Sequence, residues 1–553
     1  MKRELNSADS PVRFVDRVFP WLPLVGAWAV AVFLCLNFLS ALPLYLPIDD
    51  SYIIMAYARN VVEYGELFSY NPGTPSTGIT SPLYCLAIAV CKLFFGGTAG
   101  DAGYVSAVRL VGFVSFFISL VVGSLWVRLI SGRGLRGHLA AVLFSFFWGC
   151  WGYVHFFAFC GMEPILYIAL MMLVLCLYEK CQDFSAGCLL GAAALCRPEA
   201  VFMGFLLGFV PIYGFIRGLL KGDKVYVKQN FKSGMSLATG FAAVYGLWLL
   251  RCLSVNGTVF PSTVTMKSFG ASDWHQIWNY ARCFLTLRSQ GSWEYGLIEP
   301  HVQETAWMLV RSWCPVAVVS MLSIIILRSN PRSWLPLFYP LVHFLFTFSK
   351  NLNYCDNMRY HVLDFTLVMV GLAVLLGGMI VAGYRKNMPK WAKLRTATTV
   401  LGLAISFTLG GLILDDAKYQ LRLFKNMAAH FNILDYSIGK WLKSNTSPDT
   451  VVVLHQAGGI KFFGNRIIVD GGGVTDHTMF PYLKGPKNLL QAIVDRKADY
   501  IASFGDEWLS RFGLHMQDPR FFTPVRLRCR GLYKINKPAL KAYAESLEAK
   551  ETR

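Results

Sequence analysis

Two adjacent carboxylates, Asp49 and Asp50, close a long apolar run in the stretch LPIDDSYIIMAYARNVVEYGELFSYNPGTPSTGITSPLYCLAIAVCKLFFGG. A carboxylate held at the edge of a lipid bilayer can take the proton from a hydroxyl nucleophile. The same pair could equally be the acidic start of a helix, since the partial positive charge of a helix N-terminus favours such residues. At about 100° per helical residue, Asp49 shares a face with Tyr52, Ala56 and Asn60, and Asp50 shares the next with Ile54, Tyr57 and Val61. One carboxylate can therefore face a cleft while its neighbour is tied down locally. Elsewhere the chemistry-bearing residues are sparse. The histidines at 155, 275, 301 and 455 lack metal-ligand spacing such as HExxH, so a divalent cation is possible through the two aspartates but is not indicated, and no cofactor is required. GGG at 471 to 473 lacks the spacing of a dinucleotide loop and reads as a tight turn, with Asp470 and Asp476 as turn caps.

The elements that position these residues are apolar. Of 553 residues 55% are hydrophobic and 15% charged, and the mean hydropathy is +0.44, too apolar for an ordinary soluble protein of this size. A crossing needs about 20 helical residues. Candidate spans lie at 21 to 46, 105 to 127, 139 to 158, 164 to 179, 185 to 197 and 199 to 216. Others lie at 233 to 253, 305 to 327, 334 to 349, 361 to 383 and 397 to 414. The segment 185 to 197 is too short to cross alone, so it and 199 to 216 are either two spans or a re-entrant hairpin. With the N-terminus inside, basic residues of the inside loops, such as Lys2, Arg13, Arg128, Arg217, Lys228 and Arg385, outnumber the outside set of Arg59, Lys92, Arg197, Lys267, Arg282, Arg288, Lys350 and Arg359. That asymmetry fits the positive-inside rule and an odd number of spans. It also accounts for most of the +19 formal charge as anchoring beside anionic lipid, without nucleic acid.

Residues 1–20 form a polar tail on the cytoplasmic side, 21–414 the membrane domain, 415–540 an external domain and 541–553 a polar tail. Loops at 47–104 and 254–304 are external. The runs TVVVLHQ, RIIVDGGGV and ADYIASFGD alternate with helical stretches, which predicts a small α/β unit. Fourteen cysteines include no CxxC pair and no disulfide framework.

IDDSYIIMAYARN followed by YNPGTPSTGITSPLY resembles the DDAYI…RYARN…NPGE…GYTSPLW pattern of one branch of the GT-C glycosyltransferases, polyprenyl-phosphate-sugar-dependent membrane enzymes that include arabinofuranosyltransferases. CGMEPILYIAL (160–170) is similar to the family's SGMET segment and LCRPEAVF (195–202) to its LTRPEG segment. FPSTVTMK (260–267) is similar to PNTYYAK and NMRYHVLDF (357–365) to RYLLP. HQAGGIKFFGNRIIVDGGGVTD (455–476) resembles DAGAIGYYSDRPVIDLAGLND. The departures are Thr77 where the family has Glu, Pro164 for Thr, and a missing proline at 361–363, which bear on sugar and acceptor more than on the reaction.

The resemblance implies a polytopic α-helical membrane protein of GT-C type, with about eleven transmembrane helices, external juxtamembrane helices and a small C-terminal α/β domain. It implies a first-loop carboxylate as catalytic base, here Asp49 with Asp50 as the close second. The donor would be a polyprenyl-phosphate sugar, best taken as arabinofuranose and otherwise mannose or another hexose. The acceptor would be an envelope glycan, lipid or protein. An anionic lipid phosphate as leaving group calls for cations, for which Arg197, Lys267 and Arg359 are candidates. Snorkelling to headgroups explains each of them equally well. Arg59 lies about 15 Å along the helix from Asp49, and so would hold the helix in place or bind another part of the donor. Glu163 and Glu199 could orient a cation or sugar hydroxyls, and Tyr52 and Tyr360 could contact a sugar or act as interfacial anchors. The location implied is a bacterial inner membrane, N-terminus cytoplasmic and C-terminus periplasmic.

Two other classes compete. A transporter or flippase would gather charge near the bilayer midplane and often shows inverted repeats; here the polar residues gather on one face and no repeat is evident. A scaffold protein would give the paired aspartates and external cations no shared task.

Overall fold

The computed structural model describes residues 21–95, 100–132, 134–263, 330–340, 342–343, 359–382, 392–483, 488–502, 507–510, 512–527 and 531–551. Helix α1 spans Leu22–Ser40, α2 Asp49–Tyr64, α3 Pro82–Phe95, α4 Asp101–Ser131, α5 Leu135–Gly149 and α6 Gly152–Phe159. Then follow α7 Pro164–Glu179, α8 Asp183–Ala194, α9 Ala200–Lys221, α10 Lys224–Asn256, α11 Val362–Ala382 and α12 Ala392–Phe431. Six of the described helices are long and apolar enough to cross a membrane, and the pair α5–α6, bent by 59°, makes a seventh. The chain is an integral multi-pass membrane protein. The predicted span at 305 to 327 lies outside the described residues, as do residues 341 and 344–349 of that at 334 to 349.

Local chemistry sets the ends of these helices. Asp49 and Asp50 occupy the first turn of α2, and Gly65 ends it in the left-handed region at φ 69°, where a side chain would be strained. Pro164 opens α7, and the Asp223 carboxylate accepts from the Tyr226 N–H to cap α10. At the α5–α6 bend, an imidazole nitrogen of His155 reaches the Gly149 carbonyl at 2.9 Å, and Asp416 of α12 accepts from the Tyr153 N–H. Freed backbone groups in lipid are thus satisfied by neighbours.

The segments α8 and α9 correspond to the runs predicted at 185 to 197 and 199 to 216. At 1.5 Å per residue α8 is only about 18 Å long, short of the about 30 Å hydrocarbon core. It is therefore too short to cross by itself. Packing against α10 through Gly187, Gly191 and Gly240 holds α8 in place, small residues letting the backbones approach closely.

Helix α12 has 40 residues, about 60 Å, twice the hydrocarbon thickness. It runs unbroken past 415, where a domain boundary was expected, and a π-helical turn at Asn432–Tyr436 then leads into α13, Ser437–Asn445. Beyond it lie β1 Val451–Leu454, α14 Gly459–Gly464, β2 Ile467–Asp470, α15 Leu489–Asp495, β3 Tyr500–Ala502, β4 Phe522–Pro524, β5 Leu532–Ile535 and α16 Lys537–Glu551. The sheet order is β2-β1-β3-β5-β4, with β1 parallel to β2 and β3 and the other pairings antiparallel. Alternation along the strands separates two cores. Val453, Val469 and Ile501 face a cluster with Ile493 and Leu540, whereas Val452, Leu454 and Ile468 join the core continuous with the membrane domain. The expected polar tail from 541 is instead helical to Glu551, because Leu540 and Ala544 give α16 an apolar stripe that packs beneath the sheet.

Candidate functional site

The two aspartates point to different partners. Asp49 turns to the C-terminal domain: one carboxylate oxygen accepts from the Gly458 N–H at 3.0 Å and the other from the Gly459 N–H at 2.7 Å. Gly458 lies so close that a Cβ there would strike the Asp49 backbone and carboxylate, so the contact requires glycine. Asp50 turns the other way and pairs with Arg359 at 2.7 Å, its side chain 40% exposed against 8% for the arginine.

From Arg359 a line of cations and rings leads into the protein. Its guanidinium donates to the Tyr360 hydroxyl at 3.3 Å and lies 5.2 Å from that ring's centre. On the same ring, 4.7 Å away, rests the guanidinium of Arg197. Arg197 occupies the α8–α9 turn and is clasped by Glu163 at 2.7 Å and Glu199 at 2.9 Å, all three buried. Charge so buried persists only when paired. The second oxygen of each glutamate has no hydrogen-bond partner among the described residues. Three motif segments, CGME, LCRPE and RYH, are thus brought together although they are far apart in the chain.

Below this line His343 and His361 each place Nδ1 against the same oxygen of Asp364, at 2.8 and 2.6 Å. Among the described residues, these three are the His/Cys/Asp/Glu group whose ligand atoms converge closely enough for a metal ion, and neither Asp49 nor Asp50 belongs to it. Motif reasoning missed this cluster. His361 and Asp364 sit three apart at the start of α11, a visible signal, but His343 joins them only through folding.

The loop YNPGTPSTGITSP docks under the C-terminal domain. Asn71 donates to the Ile468 carbonyl and accepts from its N–H; the Ser76 hydroxyl donates to the Thr475 carbonyl at 2.5 Å. Asp470 accepts from the Thr475 N–H and hydroxyl and from the Gly472 N–H, building the turn opposite. Thr77 is fully buried, its hydroxyl oxygen accepting from Asn256 and from the Ser262 N–H. Beneath this interface Lys461 is 2% exposed and donates to Asn71 Oδ1 and to the Arg466 carbonyl. Burial, reinforced by the positive charges of Arg59 and Arg466, pulls its ammonium down to about 7.

Arg59 and Tyr52 belong to this interface rather than to the cation line. Arg59 bonds Asp101 at 2.6 Å and the Phe462 carbonyl, with its guanidinium 4.0 Å from the Phe462 ring centre. The buried Tyr52 hydroxyl accepts from the Leu46 N–H, and its ring packs on Phe462 and Phe463. Lys267 lies outside the described residues.

With this geometry in view, comparison with known proteins gives three results. A model for a domain of unknown function, DUF8728, matches residues 420–541. No curated protein matches the chain. Among solved structures, ArnT from Cupriavidus metallidurans bound to undecaprenyl phosphate superposes with a TM-score of 0.56 at 13% identity, covering 92% of this chain and 97% of that one. The oligosaccharyltransferase of Archaeoglobus fulgidus, tethered to an acceptor peptide, gives a TM-score of 0.51 at 13% identity, over 89% of this chain and 69% of that one. The chain therefore shares their fold.

Proposed function

We propose that this chain is a membrane glycosyltransferase that moves a sugar from a polyprenyl-phosphate carrier to an acceptor hydroxyl. The observation that carries the reading is the line from Asp50 through Arg359 and Tyr360 to Arg197, in a fold shared with a protein solved bound to undecaprenyl phosphate. Of the two aspartates, Asp50 is the base in this scheme, because both Asp49 oxygens are engaged by backbone amides and Asp50 is partly open. The acceptor hydroxyl gives its proton to the Asp50 carboxylate as its oxygen bonds the anomeric carbon. The bond from that carbon to the phosphate oxygen breaks, and the polyprenyl phosphate leaves with the electron pair. Arg359 and Arg197 stabilise the charge that develops on the phosphate. The second oxygens of Glu163 and Glu199, without hydrogen-bond partners among the described residues, supply acceptors for sugar hydroxyls.

Arabinofuranose is the preferred sugar, on the motif resemblance, with mannose or another hexose behind it, and the acceptor is an envelope glycan, lipid or protein. The basic-residue asymmetry supports a bacterial inner membrane with the C-terminal domain outside. The test is transfer of radiolabelled sugar from synthetic polyprenyl-phosphate arabinofuranose and polyprenyl-phosphate mannose by purified protein, with Asp49→Asn and Asp50→Asn alongside wild type. Transfer from one donor that Asp50→Asn abolishes supports the scheme and identifies the sugar. No transfer from either donor to envelope acceptors refutes it.

A further inference from the structure

We infer that His343, His361 and Asp364 form a binding site for one zinc-type transition-metal ion, set in the membrane domain beside the Arg197–Tyr360–Arg359 line. Three observations converge. The donor set is two imidazoles and one carboxylate, with the ligand atoms all within 4.8 Å of one another. Such a set, with a fourth position left open, is a zinc arrangement with ligands at about 2.0–2.2 Å. Ligands around a tetrahedral ion stand about 3.4 Å apart, so the 2.8 and 2.6 Å separations here open by less than an ångström on metal entry. Small rotations of the three side chains supply that movement.

The second observation is burial. Asp364 is 0% exposed and both histidines 1% exposed. The walls are rings: Tyr339 stacks on His343 at 5.1 Å, Phe202 lies 6.4 Å from it, and Phe365 sits 6.2 Å from His361. Water does not compensate a carboxylate in such a setting, and Asp364 Oδ1 has no hydrogen-bond partner among the described residues.

Charge balance is the third. Glu199 and Arg197 lie close enough to act on the charge of His343. Among the described residues, Glu163, Glu199 and Asp364 set three buried carboxylates around the guanidinium of Arg197, while Arg359 pairs with Asp50. With neutral imidazoles these described groups carry two surplus negative charges, which when buried demand compensation. One divalent cation supplies it and uses the imidazoles in the neutral form that ligates metal. The alternative is protonation of both histidines, which the experiment separates.

The placement also gives the ion a task. Arg359 and Tyr360 directly precede His361, so an ion fixing His361 to Asp364 pins the turn that presents both to the Asp50 side. The inference is independent of the proposed transfer reaction, because its readout is metal content.

Full-length protein is purified in detergent from zinc-supplemented cells, passed over a chelating resin and measured by plasma mass spectrometry. Wild type is expected to retain about one equivalent of metal per chain, and His361→Ala and Asp364→Asn at least about tenfold less. Asp49→Asn and Asp50→Asn keep the wild-type content. Should the cluster variants fail to fold, wild type stripped with chelator and titrated with Co²⁺ decides: a visible tetrahedral spectrum saturating near one equivalent, with X-ray absorption requiring two imidazoles, supports the site. Wild type that holds no metal and gives no Co²⁺ spectrum overturns the inference and leaves a protonated His–Asp–His network. Metal lost from Asp50→Asn but kept in His361→Ala also overturns it, and moves the ion to the paired aspartates.

Discussion

Helix α2 begins with two chemically identical side chains that meet two very different surroundings. On the Asp49 side, the C-terminal domain closes over the helix: backbone amides of Gly458 and Gly459, the Phe462 and Phe463 rings and the buried Tyr52 leave little room for a substrate. On the Asp50 side the carboxylate meets a guanidinium, and behind it come a tyrosine ring, a second guanidinium and two glutamates whose second oxygens lack hydrogen-bond partners among the described residues. The first face is saturated and the second is charged with spare valence. Neighbouring positions on a helix point about 100° apart, so this difference costs the chain nothing in sequence length. What it teaches is that a pair of aspartates need not be a pair of catalysts: one can fasten the scaffold that holds the other in place.

The largest effect expected from breaking this asymmetry is on catalysis. Asp50→Asn should lower sugar transfer by about 10²–10⁴-fold, with thermal unfolding in detergent little changed, because a partly exposed ion pair contributes weakly to stability. A fall in transfer for Asp49→Asn as large as for Asp50→Asn would erase the distinction between the two faces.

Arg197→Met should destabilise the protein by about 3–5 kcal/mol, since it leaves Glu163 and Glu199 buried without their cation. A drop in melting temperature checks this, and Glu163→Gln combined with Arg197→Met should recover part of it. Equal melting temperatures for wild type and Arg197→Met would mean that water already reaches the clasp.

A comparable but more local loss is expected on the saturated face. Asp49→Ala removes two charge-assisted hydrogen bonds worth about 1.5–3 kcal/mol each, and it should loosen the C-terminal domain before it unfolds the membrane helices. Hydrogen exchange at the amides of α14 reads this directly. Faster exchange there, with the core of α4 unchanged, sharpens the view of Asp49 as a fastener; unchanged exchange at Gly458 and Gly459 breaks it.

A further effect concerns pH. Lys461 releases its proton near pH 7 in the folded protein, whereas an unfolded chain holds it to about 10.5. The unfolded state thus binds more protons between those values, and stability rises as pH increases from 7 towards 10. Lys461→Met should flatten that rise, seen as melting temperature against pH; a rise that persists unchanged in the variant assigns it to other groups.

The sequence by itself determined the membrane class, most of the span positions and the strand runs of the C-terminal unit, because hydropathy and residue period are local properties carried by consecutive residues. Its ordered motifs also pointed to the GT-C fold, and they named Asp49, Asp50, Glu163, Arg197, Arg359 and Tyr360 before any of them could be placed. Only the tertiary structure decided how they divide. Asp49 meets Gly458 across 409 positions and Asp50 meets Arg359 across 309. No local pattern distinguishes two adjacent aspartates when their fates depend on chain so distant. The same holds for Arg59 and Tyr52, whose polar and aromatic groups suited a ligand in sequence but are used up on Phe462 and its neighbours. His343 shows the limit most clearly. Alone on an apolar stretch it carries no spacing signal, and it acquires a chemistry only where the fold sets its Nδ1 beside Asp364, 21 positions away.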